Sequence, residues 1–369
     1  MKYATAQPKL AGDIWTFDDI KKFSSTQTRA GEISRVLLSL DLEKKVKSPR
    51  PLSKDSKLMM EPNDFTKTLS GRPLVPLKNG LIPNLDETIV VKGKFSGKVK
   101  ASSHVTTDSI GRRLTGNTSG SEKKKNIVFL GCSFTYGFGV NNEDTYPYKV
   151  REKTGLNVYN YGISGTSPSL TLKILRYLKG DYLKDMSKED TTVIYTLIPD
   201  HINRMIGTVL QFRHMPGSFE TAPYIFLKDN ELEILNSFAD DRTYGKHILK
   251  FLSRIHLMKV FWVDIPRIGQ EEIDLMARIL QEIEKEVKTH NPHVKSFKVA
   301  FYPLGGVGEK SYQALRDELV KRKMDVLDYS MINTNSLLKP YNVLEFDSHP
   351  SPLAYDVYSS LLANDLKER

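Results

Sequence analysis

Two short stretches hold residue types that do chemistry together. In Gly131-Cys132-Ser133-Phe134-Thr135-Tyr136-Gly137 a serine follows an apolar run and is trailed by glycine. A serine on so tight a turn exposes its hydroxyl and leaves its backbone N–H free. A nucleophile whose own amide helps hold an oxyanion needs that placement. In Phe346-Asp347-Ser348-His349-Pro350-Ser351, just before the last helical segment, an aspartate and a histidine stand two apart on one loop. A serine hydroxyl becomes a strong nucleophile when an imidazole takes its proton, and a carboxylate fixes the imidazole's tautomer. Pro350 stiffens the turn behind the histidine. Each stretch also has an ordinary reading. Gly-x-Ser turns occur in phosphate-binding and purely structural loops, and Asp347 is placed to N-cap the closing helix beside an incidental His349. The single cysteine, Cys132, adjoins the serine, so a thiol nucleophile is a further alternative.

The surrounding pattern is regular enough to position both stretches. Asn126–Leu130, Leu156–Tyr161 and Thr191–Leu197 are short apolar runs, as expected of parallel strands buried on both faces. Helical spacing falls at Tyr146–Lys153, Ser169–Leu178, Gln270–Lys288, Ser311–Lys321 and Ala354–Leu366, with further strands at Ser296–Tyr302 and Met324–Tyr329. Strands alternating with helices predict a parallel sheet covered on both sides, a three-layer α/β/α sandwich. In such sheets reactive groups gather at the carboxyl ends of the strands. The alternation breaks between Met205 and Lys246, where Tyr224–Leu227 and Glu231–Leu235 read as a small hairpin; we take about 205–246 as an insertion. Before the sandwich, Thr88–Phe95 and Lys98–Ala101 read as strands joined at Ser96-Gly97, and Ala30–Lys45 as a helix. Asn117–Lys125 is a loop by composition. The aromatic and methionine residues between Phe251 and Trp262 read as core.

Charge divides the chain differently. Residues 1–125 carry 24 Lys/Arg against 13 Asp/Glu, whereas 126–369 carry 30 against 31, so the whole net charge of +10 belongs to the first third. A basic segment either solubilises a surface or faces an anionic partner. No nucleic-acid-binding motif accompanies it, so nucleic acid is not expected. One cysteine allows neither an internal disulfide nor a cysteine-based metal site. His290-Asn-Pro-His293 is the only histidine pair near ligand spacing and has no carboxylate beside it in sequence, so no metal and no cofactor is expected. No apolar stretch is long enough to span a bilayer. The start, MKYATAQPKL, has no apolar h-region. Compartment stays open: periplasmic or extracytoplasmic if a signal peptide was removed, otherwise cytoplasmic.

The two motifs together resemble a known family. Gly131–Gly137 resembles the first block of the SGNH (GDSL-type) hydrolases, and Asp347-Ser348-His349-Pro350 resembles the last block, which carries acid and base. Asn160-Tyr-Gly162-Ile-Ser-Gly165-Thr166 is similar to the second block, and Val105–Arg113 looks like the lead-in found before the first block in bacterial members. The likeness covers about residues 104–369 with the motifs in order. It implies an SGNH hydrolase fold with a flavodoxin-like sheet over 104–369, and a basic accessory region over 1–103. It also implies a serine esterase with Ser133 as nucleophile, His349 as base and Asp347 orienting it. The oxyanion would rest on the N–H groups of Ser133 and Gly165. Two departures stand out. Cys132 replaces the usual aspartate, and the third block reads Thr196-Leu-Ile-Pro-Asp200-His201-Ile-Asn203-Arg204, without its asparagine at the usual place. We expect His201 to take that donor's role and Arg204 to bind an anionic or polar substrate group. The substrate implied is an acyl ester, such as an O-acetyl ester, of a carbohydrate or lipid, small or polymeric, including an acidic glycan. The alternatives are an O-acyltransferase acting on a surface glycan and a catalytically silent glycan-binding relative.

Overall fold

The computed structural model describes residues 84–92, 99–116, 125–183, 188–255, 264–303, 309–330 and 349–367. The helix expected at Ala30–Lys45, the loop at 117–124 and Asp347 lie outside them. The described part opens with an antiparallel pair, β1 (Asp86–Lys92) and β2 (Val99–Thr106). The expected boundary at 103/104 falls within β2.

The sandwich follows. β3 (Lys125–Gly131) leads into a one-turn helix, α1 (Ser133–Tyr136), and then α2 (Tyr146–Thr154). β4 (Asn157–Gly162), α3 (Pro168–Leu178) and β5 (Asp190–Leu197) continue the alternation. Next come α4 (Asp200–Ile206), α5 (Val209–His214), α6 (Ser218–Thr221), the hairpin β6 (Tyr224–Lys228) and β7 (Glu231–Leu235), and α7 (Gly245–Arg254). The chain closes with α8 (Gln270–His290), β8 (Val294–Phe301), α9 (Glu309–Lys321), β9 (Asp325–Asp328) and α10 (Pro352–Lys367).

Five strands form one parallel sheet in the order β4-β3-β5-β8-β9. Counted within the sheet this is 2-1-3-4-5, the flavodoxin-like order. Period-two alternation explains why both faces need helices. Along β3, Ile127 and Phe129 enter one core with Tyr146 and Val150 of α2 and Tyr355, Tyr358 and Leu362 of α10. Val128 and Leu130 enter the other, with Leu172 and Leu175 of α3, Ile273, Met276 and Leu280 of α8, and Leu315 of α9. Burying one such aromatic or branched side chain contributes about 2 kcal/mol, so a run of apolar residues facing both ways fixes β3 at the centre. On α8 the buried positions 273, 276, 277, 279, 280, 283 and 287 follow the helical period, and Gly269 N–H is met by Glu272 at 2.8 Å where the helix begins.

The region expected as an insertion contains the hairpin and more. Phe212, Phe219 and Phe238 form a small core of their own beneath Tyr224 and Leu249. Phe251 corrects an expectation: it is 64% exposed. On α7 the inward positions go to Lys250 and Ser253 instead. Lys250 reaches the Pro216 carbonyl and Lys246 the Ile206 carbonyl, which turns Ile248 and Phe251 outward. Among the described residues no helix is long and apolar enough to cross a membrane.

Candidate active site

The sheet reverses its winding between β3 and β5: the chain leaves β3 toward β4 on one side and leaves β5 toward β8 on the other. The crevice outside the carboxyl ends of these two strands is where ligands bind in such folds. Ser133 follows β3 there, and Asp200–Arg204 follow β5.

Ser133 is the first residue of α1, so its N–H has no partner within the helix. The short helix is held from below. Asn160 of β4 donates from Nδ2 to the Thr135 carbonyl at 2.9 Å, while its Oδ1 accepts from Gly162 N–H at 2.9 Å. Tyr146 Oη lies 3.0 Å from Thr135 Oγ1 and 2.7 Å from Thr196 Oγ1. Burial pushes the Tyr146 phenol's pKa well up, so it acts here as a neutral hydroxyl.

His349 meets the serine across 216 residues of sequence: its Nε2 lies 2.8 Å from Ser133 Oγ. The imidazole packs between aromatic rings, 5.3 Å from Phe134 and 4.7 Å from Phe138 by ring centroids. The closing helix is capped by Ser351, whose Oγ accepts from Ala354 N–H at 3.3 Å and whose carbonyl accepts from Tyr355 N–H. Cys132 is buried, and burial raises its thiol pKa, so it stays protonated.

Gly165 sits in the turn after β4 with φ of +77°. That turn starts where Ile163 N–H meets the Gly131 carbonyl at 2.9 Å, so it rises beside the serine's own turn. Arg204, on α4, donates from Nη1 to the carbonyl of the adjacent Thr166 at 3.2 Å and lies 3.6 Å from Asp200. A side chain at Gly165 would meet Met215 Cε at 3.1 Å, so the 205–246 segment reaches the lip of this turn.

His201 is fully buried. Its ring packs edge-on against Tyr195 at 5.8 Å, and neither ring nitrogen has a hydrogen-bond partner among the described residues. Burial, and after it the nearby Arg204 charge, hold its pKa well below 6.5. The unfolded chain therefore takes up this proton first as pH falls, and folding loses stability. The loss begins near pH 6.5 and deepens as pH falls, until the folded-state pKa is reached. Urea melts of the wild type and His201→Leu, from neutral pH downward, check this. The wild type is expected to lose stability more steeply below pH 6.5, and parallel pH slopes for the two proteins would contradict it.

Sequence reading thus found the two groups that meet, Ser133 and His349, and the two that flank the Gly165 turn, Gly165 itself and Arg204. It missed Phe138 and the role of Asn160. Asn160 lies in a stretch already singled out and Phe138 just past the end of one, but their partners sit on other strands and loops. His290 shows the same limit: its carboxylate neighbour, Glu286 at 3.3 Å, is one helical turn back and was overlooked.

No family model matches the sequence, and no curated protein matches it. Several solved structures are similar. A G-D-S-L family protein of Desulfitobacterium hafniense shares 12% identity over 65% of this chain and 98% of its own, with a TM-score of 0.36. An acetyl xylan esterase from Butyrivibrio proteoclasticus shares 12% over 67% of this chain and 65% of its own, at 0.38. AlinE4, an SGNH-hydrolase family esterase, shares 12% over 68% of this chain and 98% of its own, at 0.32. The fold class itself is read from this chain's own strands and helices: a three-layer α/β/α sandwich built on a parallel 2-1-3-4-5 sheet.

Proposed function

We propose that the chain is a serine ester hydrolase. The observation that carries this reading is the 2.8 Å contact between Ser133 Oγ and His349 Nε2 at the carboxyl end of β3. Ser133 Oγ attacks the ester carbonyl while its proton passes to His349 Nε2, with Asp347 orienting the imidazole. The tetrahedral oxyanion rests on the N–H groups of Ser133 and Gly165, joined by His201. Collapse expels the alcohol, which takes the proton from His349 and leaves an acyl group on Ser133. Water then attacks, giving its proton to His349; collapse of the second tetrahedral intermediate breaks the bond to Ser133 Oγ, which takes that proton back from His349 as the carboxylic acid leaves. No cofactor enters the cycle.

What supports His201 as third donor is that burial keeps it neutral, so one ring nitrogen carries a proton, and that neither nitrogen has another partner among the described residues. Removing one oxyanion donor lowers kcat by about 10²–10³-fold. His201→Ala is expected to show that loss on a short-chain nitrophenyl ester with KM little changed. An unchanged rate takes His201 out of the site.

The substrate class we infer is an acyl ester, such as O-acetyl, of a carbohydrate or lipid. Supporting this, Arg204 lies beside the Gly165 turn, from which we infer that it meets a polar or anionic substituent, and the net positive charge of the first third suits an acidic polymer. A fluorophosphonate probe tests the enzyme reading. Wild type is expected to label and Ser133→Ala not to; a wild type that neither labels nor hydrolyses the nitrophenyl ester sinks it. Product analysis with and without a glycan acceptor then shows whether water or a sugar hydroxyl takes the acyl group.

A further inference from the structure

Arg113 is only 1% exposed and makes no ion pair among the described residues. Glu143 and Asp144 favour its charge only from a distance, and a buried guanidinium without a directly paired carboxylate is costly unless every N–H finds an acceptor. Here each does. Nε donates to Asn142 Oδ1 at 2.8 Å, Nη1 to the carbonyls of Tyr136 and Gly137, and Nη2 to the carbonyls of Val140 and, at 3.5 Å, His104. Its backbone forms bridges to Thr107 on one side and Asn160 of β4 on the other. The base of the fork is therefore fixed to the sheet edge.

The acceptors identify what the fork holds. Tyr136, Gly137 and Val140 belong to the segment that leaves α1, and their carbonyls all converge on one planar cation. That convergence requires the chain to reverse at Gly137, which has φ of +87°. A side chain there would strike Thr145 Cγ2 at 2.3 Å and Arg113 Nη1 at 3.0 Å. Between these clamped residues in sequence lies Phe138. Its N–H donates to the Ser133 carbonyl at 3.0 Å, and its ring is the one 4.7 Å from the His349 imidazole.

We propose that Arg113 is a positioning residue for the Ser133–His349 pair, acting by clamping segment 136–140 so that Phe138 buttresses the imidazole. The proposal rests on the ester-hydrolase reading for its kinetic consequence, but the clamp itself is a statement about geometry. A lysine cannot substitute, because its three donors radiate from one nitrogen and cannot serve acceptors spread around a plane. Asn142 extends the same grip: its amide also meets Thr106, and Asn141 Oδ1 accepts from His104 N–H at 2.9 Å. The β1–β2 hairpin and the nucleophile's loop are thus held as one unit.

The test compares wild type, Arg113→Lys and Phe138→Ala. Circular dichroism and a cooperative melt confirm folding of each. Misplacing a catalytic group by about 1 Å costs about 10²-fold. Arg113→Lys is therefore expected to lower kcat on the nitrophenyl ester about 10²-fold while KM changes less than about twofold. The double variant should be little worse than either single one, because both act through one contact. In Arg113→Ala, millimolar guanidinium should restore rate where methylammonium does not. A folded Arg113→Lys with unchanged kcat, or a rate loss that merely tracks the unfolded fraction, overturns the proposal. A readout independent of activity separates it from the enzyme reading. In selectively labelled protein, the nuclear Overhauser contact between the Phe138 and His349 rings should be present in wild type and weakened in Arg113→Lys. If wild type is inactive, the enzyme reading falls, and this contact still decides whether Arg113 holds the ring pair.

Discussion

Ser133→Ala is expected to abolish fluorophosphonate labelling and to lower nitrophenyl-ester turnover by about 10⁴-fold or more. The size follows from what the proposed mechanism would lose: a hydroxyl with an imidazole already at 2.8 Å. His349→Ala should cost about as much, since a serine without its base is a poor nucleophile. The double variant should be no slower than either, because residues acting as one unit are not additive. The fold should be untouched. Ser133 Oγ has His349 as its described partner, and alanine fills nearly the same space at a site 5% exposed. Cys132 is no rival nucleophile, because its protonated thiol is packed among Phe129, Phe134 and Tyr355 in the sheet's lower core. Turnover in Ser133→Ala within about tenfold of wild type would move the nucleophile elsewhere.

How much of this was legible in the sequence depends on where each residue's partners lie. β3, β4 and β5 were legible because a strand buried on both faces must be apolar throughout, which makes it conspicuous beside polar loops. Ser133 and His349, which meet in the structure, were legible because their settings are written locally: a serine after such a strand, and a histidine with a proline before a helix. The cap of α10 was not legible: the sequence reading named Asp347 as the candidate, and Ser351 takes the role. The helices between β5 and α8 are short, and α7 buries its lysines on carbonyls supplied by distant turns, so its apolar face points out and periodicity misleads. Arg113 belongs to the lead-in stretch, yet its acceptors lie 9 to 29 residues away in sequence, and apart from Asn142 Oδ1 they are backbone carbonyls that no residue type advertises. The α/β/α sandwich follows from pattern. The inner support of its site follows from backbone geometry that only the fold creates.

Gly162→Ala is expected to be the most damaging single-methyl change near the site, destabilising by about 3 kcal/mol. A Cβ on Gly162 would lie 2.3 Å from Tyr136 N and 2.7 Å from the Thr135 carbonyl carbon. These are backbone atoms of α1, not the ends of flexible side chains, so no rotamer change relieves the clash. The helix must lift off β4, or β4 must withdraw from β3, where Gly162 pairs with Gly131. Lifting α1 also breaks the Asn160–Thr135 bond and carries Ser133 away from His349. Stability and labelling rate should therefore fall together, with labelling lost even in the folded fraction. Gly217→Ala is the control. A Cβ there meets nothing within 4 Å, so its denaturation midpoint should stay within about 0.5 kcal/mol of wild type. Both are read by urea denaturation and by fluorophosphonate labelling under native conditions. If Gly162→Ala behaved like Gly217→Ala, α1 would not rest on β4 as described. The close glycine contact would then no longer explain why the nucleophile's turn stands where the imidazole can reach it.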